Sequence, residues 1–138
     1  MRGVVSPRSM VAFWMSGIED RPERSGEICV MEAFGDAVRD GSADIGVGLH
    51  KFRDPALTEE WSALTLAIDI AEFHTYAVDW RPGSLVFTVD GREVRRVDQA
   101  PDYPVQLEIG VFDFPDKATD DGPPHTPELV VSHVIGRP

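Results

Sequence analysis

The sequence holds a single cysteine, Cys29, in 138 residues. A lone thiol cannot close an internal disulfide, and it excludes a zinc site built on several thiolates. Basic residues are scarce: 13 Lys and Arg stand against 24 Asp and Glu, a net charge of −11 at pH 7. Charge of that sign repels nucleic-acid phosphates and anionic membrane surfaces, so neither is expected as a partner. Long apolar runs are also missing. The longest near the start, MVAFWM at 10–15, falls far short of the roughly 20 residues of a spanning helix. No apolar stretch with a small-residue cleavage site opens the chain. As written, the chain is expected in the cytoplasm, and outside the cell if a longer precursor carries a leader.

Metal and nucleotide signatures are missing too. His50, His74, His125 and His133 show no H-x-x-x-H pairing, so no metal and no cofactor are expected. Asp113, Asp116, Asp120 and Asp121 lack a calcium-loop spacing and read as solvated acids. There is no G-x-S-x-G elbow, no G-x-G-x-x-G turn and no P-loop.

What is present is a globular composition, 42% hydrophobic and 27% charged, of a length that fits one domain over 1–138. Twelve Gly and 11 Pro call for many turns. Helical periodicity is scarce, whereas strand alternation recurs. FHTYAVDW (73–80), LVFTVD (85–90) and REVRRV (92–97) form a meander, joined by the turns Arg81-Pro82-Gly83-Ser84 and Asp90-Gly91. The third strand is polar and suits an edge. Further strands are expected at SMVAFWMS (9–16), GEICVMEAFG (26–35), ADIGVGLH (43–50), PVQLEIGVF (104–112) and ELVVSHVI (128–135). Loops are expected at 17–25, 51–63 and 113–126. Many short strands with turn residues between them predict an all-β sandwich or jelly roll.

The stretch GEICVME (26–32) carries the chemistry. Strand side chains alternate, so Glu27 and Cys29 share a face. Glu32 lies five residues from Glu27, an odd offset, and in a regular strand it points the other way. One extra residue, Val30 or Met31 taken up by a β-bulge, returns it to the face of Glu27. The two α-carbons are then about four rises of roughly 3.3 Å apart. Convergent side chains leave the carboxyls on the order of 5 Å from each other, the separation of a retaining glycosidase. Close carboxylates also push their pKa values apart, so one stays protonated near neutral pH.

These residues resemble glycoside hydrolase family 16, the β-jelly-roll glucanases, whose laminarinase-like members carry E-x-D-x-x-E on a bulged strand. Here the motif stands as Glu27-Ile28-Cys29-Val30-Met31-Glu32. AFWMSG (12–17) resembles the Trp-bearing strand before the motif, and FHTYAVDW with LVFTVDG (73–91) the hairpin after it. YPVQLEIGVF (103–112) and ELVVSHVI (128–135) resemble the later cleft strand and the closing strand. The resemblance implies a concanavalin-like β-jelly-roll sandwich, incomplete at its N-terminal side, and an endo-β-glucanase-like glycosidase acting on a polysaccharide or oligosaccharide. It implies Glu27 as nucleophile and Glu32 as acid/base.

Cys29 fills the slot of the motif Asp. A thiol is a weak donor and, between two carboxylates, a poor nucleophile. Reduced or altered activity is expected.

Sugars present apolar C–H faces on which aromatic rings pack. Trp14, just before the motif, is the leading platform, followed by Phe112. Gln106 and Glu108 share the face of Phe112. His50 ends the strand after the motif, and Trp61, read as a loop residue, suits the rim. Trp80, His74 and His133 read as packing or plain strand residues. Two other outcomes stay open: a non-catalytic carbohydrate-binding module, or an inactive truncated fragment. A shortened sandwich bares strand edges, so self-association is expected through them.

Overall fold

The structure is a computed structural model that describes residues 1–117 and 126–137. Ten strands follow one another: β1 (Arg2–Val4), β2 (Ser9–Gly17), β3 (Glu27–Arg39), β4 (Ser42–His50), β5 (Glu60–Leu66), β6 (Tyr76–Arg81), β7 (Ser84–Val89), β8 (Arg92–Val97), β9 (Val105–Asp113) and β10 (Glu128–Val130). The larger sheet has the order β5-β4-β3-β2-β9, the second β6-β7-β8, and β1 pairs with β10. Every pairing is antiparallel.

Alternation explains the core. On β7, Leu85, Phe87 and Val89 are buried while their neighbours are half-exposed. They meet Val11, Ile28, Ala33, Ile45, Val47 and Leu49 of the larger sheet, which makes two sheets packed face to face. Full burial of a side chain such as Phe87 is worth about 1.5–3 kcal/mol. The β7–β8 turn works as its Asp-Gly pair predicts: Asp90 and Gly91 take φ of 50° and 76°, the left-handed pair of a tight hairpin. The Asp90 carboxylate also accepts hydrogen bonds from the Thr75 amide and His74 Nδ1, both of which hold its pKa down.

Four sequence expectations need correction. The 51–63 loop ends early, because Glu60–Leu66 is strand β5, paired to β4 along seven residues. It escaped notice because an edge strand is only half-buried, which blurs its alternation. The 73–80 strand begins at Tyr76; His74 and Thr75 are instead tied to the Asp90 turn. The 128–135 strand stops at Val130, since its partner β1 offers only three residues. Val134 and Ile135 beyond it are exposed. The 113–126 loop opens with a 3-10 turn at Pro115–Lys117. Asp120, Asp121 and His125 lie outside the described residues. Among the described residues β8 is at an edge of its sheet, as its polar sequence predicts.

The smaller sheet covers only part of the larger. Leu107, Ile109 and Val111 of β9 stay exposed on the side away from Phe112. A groove of about 800 Å³ runs between Phe13, Met15 and Leu107 on one side and Tyr76, Val78 and Trp80 on the other. No helix among the described residues is long and apolar enough to cross a membrane.

Candidate functional site

The motif strand carries the expected bulge. Against β2, Phe13 pairs with Met31 and Trp14 with Cys29, which skips Val30. Against β4, Cys29 pairs with Gly48 and Glu32 with Gly46, so Val30 and Met31 together oppose Val47. Both Val30 and Met31 join the buried core. Gly48 takes φ +136°, a conformation that favours glycine. A Cβ there would also sit 2.1 Å from the Glu60 carbonyl oxygen.

The bulge settles the faces. On β2, Ala12, Trp14 and Ser16 alternate regularly, so they share one side. Their β3 partners are Glu32, Cys29 and Glu27. The two glutamates and the cysteine between them therefore face the same side of the sheet, away from the core. Both glutamates are half-buried, and Cys29 is buried.

Each carboxylate has its own partners. Ser16 Oγ donates to Glu27 Oε2 at 3.1 Å, and Cys29 Sγ donates to Glu27 Oε1 at 3.4 Å. Trp61 Nε1 donates to Glu32 Oε2 at 2.8 Å. Burial raises the pKa of Glu32 above the ordinary carboxylate range, and the Glu27 charge adds to the rise. The Trp61 hydrogen bond and the His50 charge oppose it. Burial first, then the Glu32 and Glu27 charges, push the Cys29 thiol far up, so it stays neutral.

Aromatic rings flank this row on both sides. Trp14 packs on Phe112 with centroids 5.6 Å apart and planes tilted 46°. On the other flank His50 stacks on Trp61 at 5.4 Å and 19°, and meets Phe52 at 5.5 Å. Gly46 makes the room: a Cβ there would lie 2.6 Å from the Trp61 ring and 3.0 Å from Glu32 Oε2. A hollow of about 390 Å³ opens beside Glu27, lined by Ser16, Glu19, Ser25, Phe52 and Arg53.

The residues that the sequence nominates for the catalytic pair and for sugar contact lie on this face. Gln106 and Glu108 pair with Ser16 and Trp14, and Phe112 with Met10, which keeps them on the side of Trp14. His50 is the Cα partner of Glu27. Trp61 is corrected from a loop residue to a β5 strand residue that grips Glu32. Trp80 packs at the surface, its indole donating to the Pro101 carbonyl. Sequence reasoning missed Ser16, Gly46, Phe52 and Glu59, which hydrogen-bonds His50 Nδ1 and the Lys51 amide. Ser16 was within reach, because period two from Trp14 places it beside the motif. Glu59 carried no signal, being an ordinary acid in a loop.

Comparison with known proteins agrees with this architecture. The sequence model described as glycosyl hydrolases family 16 matches residues 8–128. Among solved structures, a GlcNAcα1-4Gal-releasing endo-β-galactosidase from Clostridium perfringens aligns with a TM-score of 0.68 and 23% identity, covering 88% of this chain and 33% of that one. The catalytic domain of an endo-1,3-β-glucanase (laminarinase) from Thermotoga petrophila aligns with a TM-score of 0.68 and 18% identity, covering 91% and 56%. A structure described with endo-acting O-glycanases of the human gut microbiota aligns at 0.62 and 21%, covering 82% and 52%. The chain thus spans between a third and just over half the length of these structures. A search of the curated proteins finds no match. With a family match over most of its length and the bulged jelly-roll sheet beneath it, the chain belongs to the glycosyl hydrolases of family 16.

Proposed function

We propose that this chain hydrolyses a β-linked glucan with retention of configuration. The observation that carries the reading is the placement of Glu27 and Glu32 on one open face, in unlike surroundings. Glu27, held by Ser16 and Cys29, is the nucleophile. Glu32, whose pKa burial raises, is the acid. In the first step a Glu27 oxygen bonds the anomeric carbon while the glycosidic bond breaks and Glu32 gives its proton to the leaving oxygen. In the second, water attacks the same carbon, its proton passes to Glu32, and Glu27 leaves as carboxylate.

Trp14, Phe112, Trp61 and His50 supply ring faces for the sugars, and Gln106 and Glu108 polar contacts. The laminarinase named among the structural neighbours supports a glucan as substrate. The weak Cys29 donor lowers the rate, so the competing reading is a module that binds glucan without cutting it. Self-association through the bare β9 face and the β6 edge, which has no sheet partner among the described residues, belongs to the same proposal. Sedimentation at rising protein concentration tests it: a constant monomer mass overturns it.

The central test is reducing-end release from laminarin and lichenan, with the anomer of the first product followed by NMR. Release of the β-anomer from the purified chain, abolished by Glu27→Gln with binding retained, supports the reading. Binding without release supports the module.

A further inference from the structure

Glu27, Cys29 and His50 each offer a ligand atom, and the carboxylate oxygen, sulfur and imidazole nitrogen all lie within 4.8 Å of one another. We propose that this corner of the cleft binds a zinc-class divalent cation through Cys29 Sγ, one Glu27 oxygen and a His50 ring nitrogen, with a fourth position open to water or inhibitor.

The geometry is close to what such an ion requires. Zinc bonds of about 2.0–2.3 Å in a tetrahedron separate the ligand atoms by roughly 3.3–3.7 Å. Cys29 Sγ already lies 3.4 Å from Glu27 Oε1. His50 is the direct cross-strand partner of Glu27, so its ring approaches from the neighbouring strand. The Glu59 carboxylate takes His50 Nδ1, which fixes the ring. Carboxylate–imidazole–metal arrangements use that support to orient the ring and raise its basicity.

Charge and softness favour the same ion. On binding, Cys29 Sγ forms a bond to the cation and its proton goes to solvent. Thiolate and Glu27 together then neutralise the dication, and the nearby Glu32 adds further attraction. Sulfur with imidazole selects zinc over magnesium or calcium, which prefer oxygen. An Asp in the Cys29 position would leave a harder, oxygen-rich site. Histidine spacing along the chain gave no hint of this set, because its members come from two strands and meet only across the sheet.

Metal binding here stands apart from the proposed hydrolysis. Its consequence for hydrolysis, that zinc silences the enzyme by occupying Glu27, rests on that reading. The test is therefore made on binding. The purified chain is stripped with a chelator and titrated with Co²⁺, then with Zn²⁺. Because the chain has one cysteine, a near-ultraviolet thiolate-to-cobalt band reports Cys29 alone. The expected result is a band that saturates at one equivalent and is displaced by Zn²⁺. Cys29→Ser should lose the band, and His50→Gln and Glu59→Gln should weaken Zn²⁺ binding about 10-fold or more. Glu32→Gln, expected to be inactive in hydrolysis, should keep the band. Absence of the band in the native chain overturns the site. So does unchanged Zn²⁺ affinity in folded Cys29→Ser and His50→Gln, checked by circular dichroism.

Discussion

The indole of Trp61 on β5 donates a 2.8 Å hydrogen bond to Glu32 on β3, reaching over Gly46 of the strand between them. Three strands thus set the protonation of one carboxyl. Burial pulls its pKa up, and this hydrogen bond, which stabilises the charged form, holds the rise back.

Removing the bond should therefore shift a pH profile in a defined direction. In Trp61→Phe, Glu32 loses the donor that favours its ionised form, so its pKa climbs further. In the proposed mechanism Glu32 must be protonated to release the leaving group, and activity then falls as pH rises through its pKa. The alkaline limb of kcat/KM should move to higher pH. A limb that stays put or moves to lower pH contradicts the role given to Trp61.

Gly46→Ala tests the same contact by steric means. The added methyl meets the Trp61 ring at 2.6 Å, which forces the ring off Glu32. A loss of about 10- to 100-fold in kcat/KM is expected from misplacing an acid by about 1 Å, with the fold intact by circular dichroism. Gly48→Ala should behave differently. Its methyl collides with the Glu60 backbone, so it should lower the melting temperature and disturb the bulge itself.

Cys29→Asp restores the acid that the family motif carries. A carboxyl kept protonated between the two glutamates donates an O–H hydrogen bond to Glu27 that is stronger than the thiol's. Hydrolysis of laminarin should rise at least about 10-fold, equal to about 1.4 kcal/mol of barrier. The same variant should lose the cobalt–thiolate band. An unchanged rate would show that position 29 does not limit catalysis.

Tyr103 anchors the start of the motif strand. Its buried hydroxyl donates to Asp54 at 2.7 Å and accepts from the Gly26 amide at 2.8 Å. Burial, then the Asp54 hydrogen bond, raise its pKa to about 12. Tyr103→Phe leaves a buried amide and a buried carboxylate without this partner, which costs about 2–6 kcal/mol at 1–3 kcal/mol per unsatisfied group. Urea unfolding should show a lower midpoint at unchanged slope.

Much of this architecture was legible along the chain, and the reasons are local. Alternation in 85–89 and 105–112 exposes the strands, because one face of each is buried or lines the cleft while the other is not. Asp90-Gly91 announces its hairpin because few pairs tolerate two positive φ angles. The odd offset between Glu27 and Glu32 demands a bulge, and the structure has one. Strand β5 was illegible for the opposite reason: none of its residues is fully buried, so the contrast between its faces is weak.

The sequence by itself determined the strand content, the paired carboxyls on one bulged strand and the absence of a thiolate-rich metal site. Those are properties of spacing within a single segment, and period two converts them directly into faces. Only the tertiary structure decided which strands lie side by side. That choice put Trp61 on Glu32, Ser16 on Glu27, and His50 with Glu59 beside Cys29. Such contacts join residues tens of positions apart by sheet register, and register is selected by burying the whole core at once, so no local pattern encodes them.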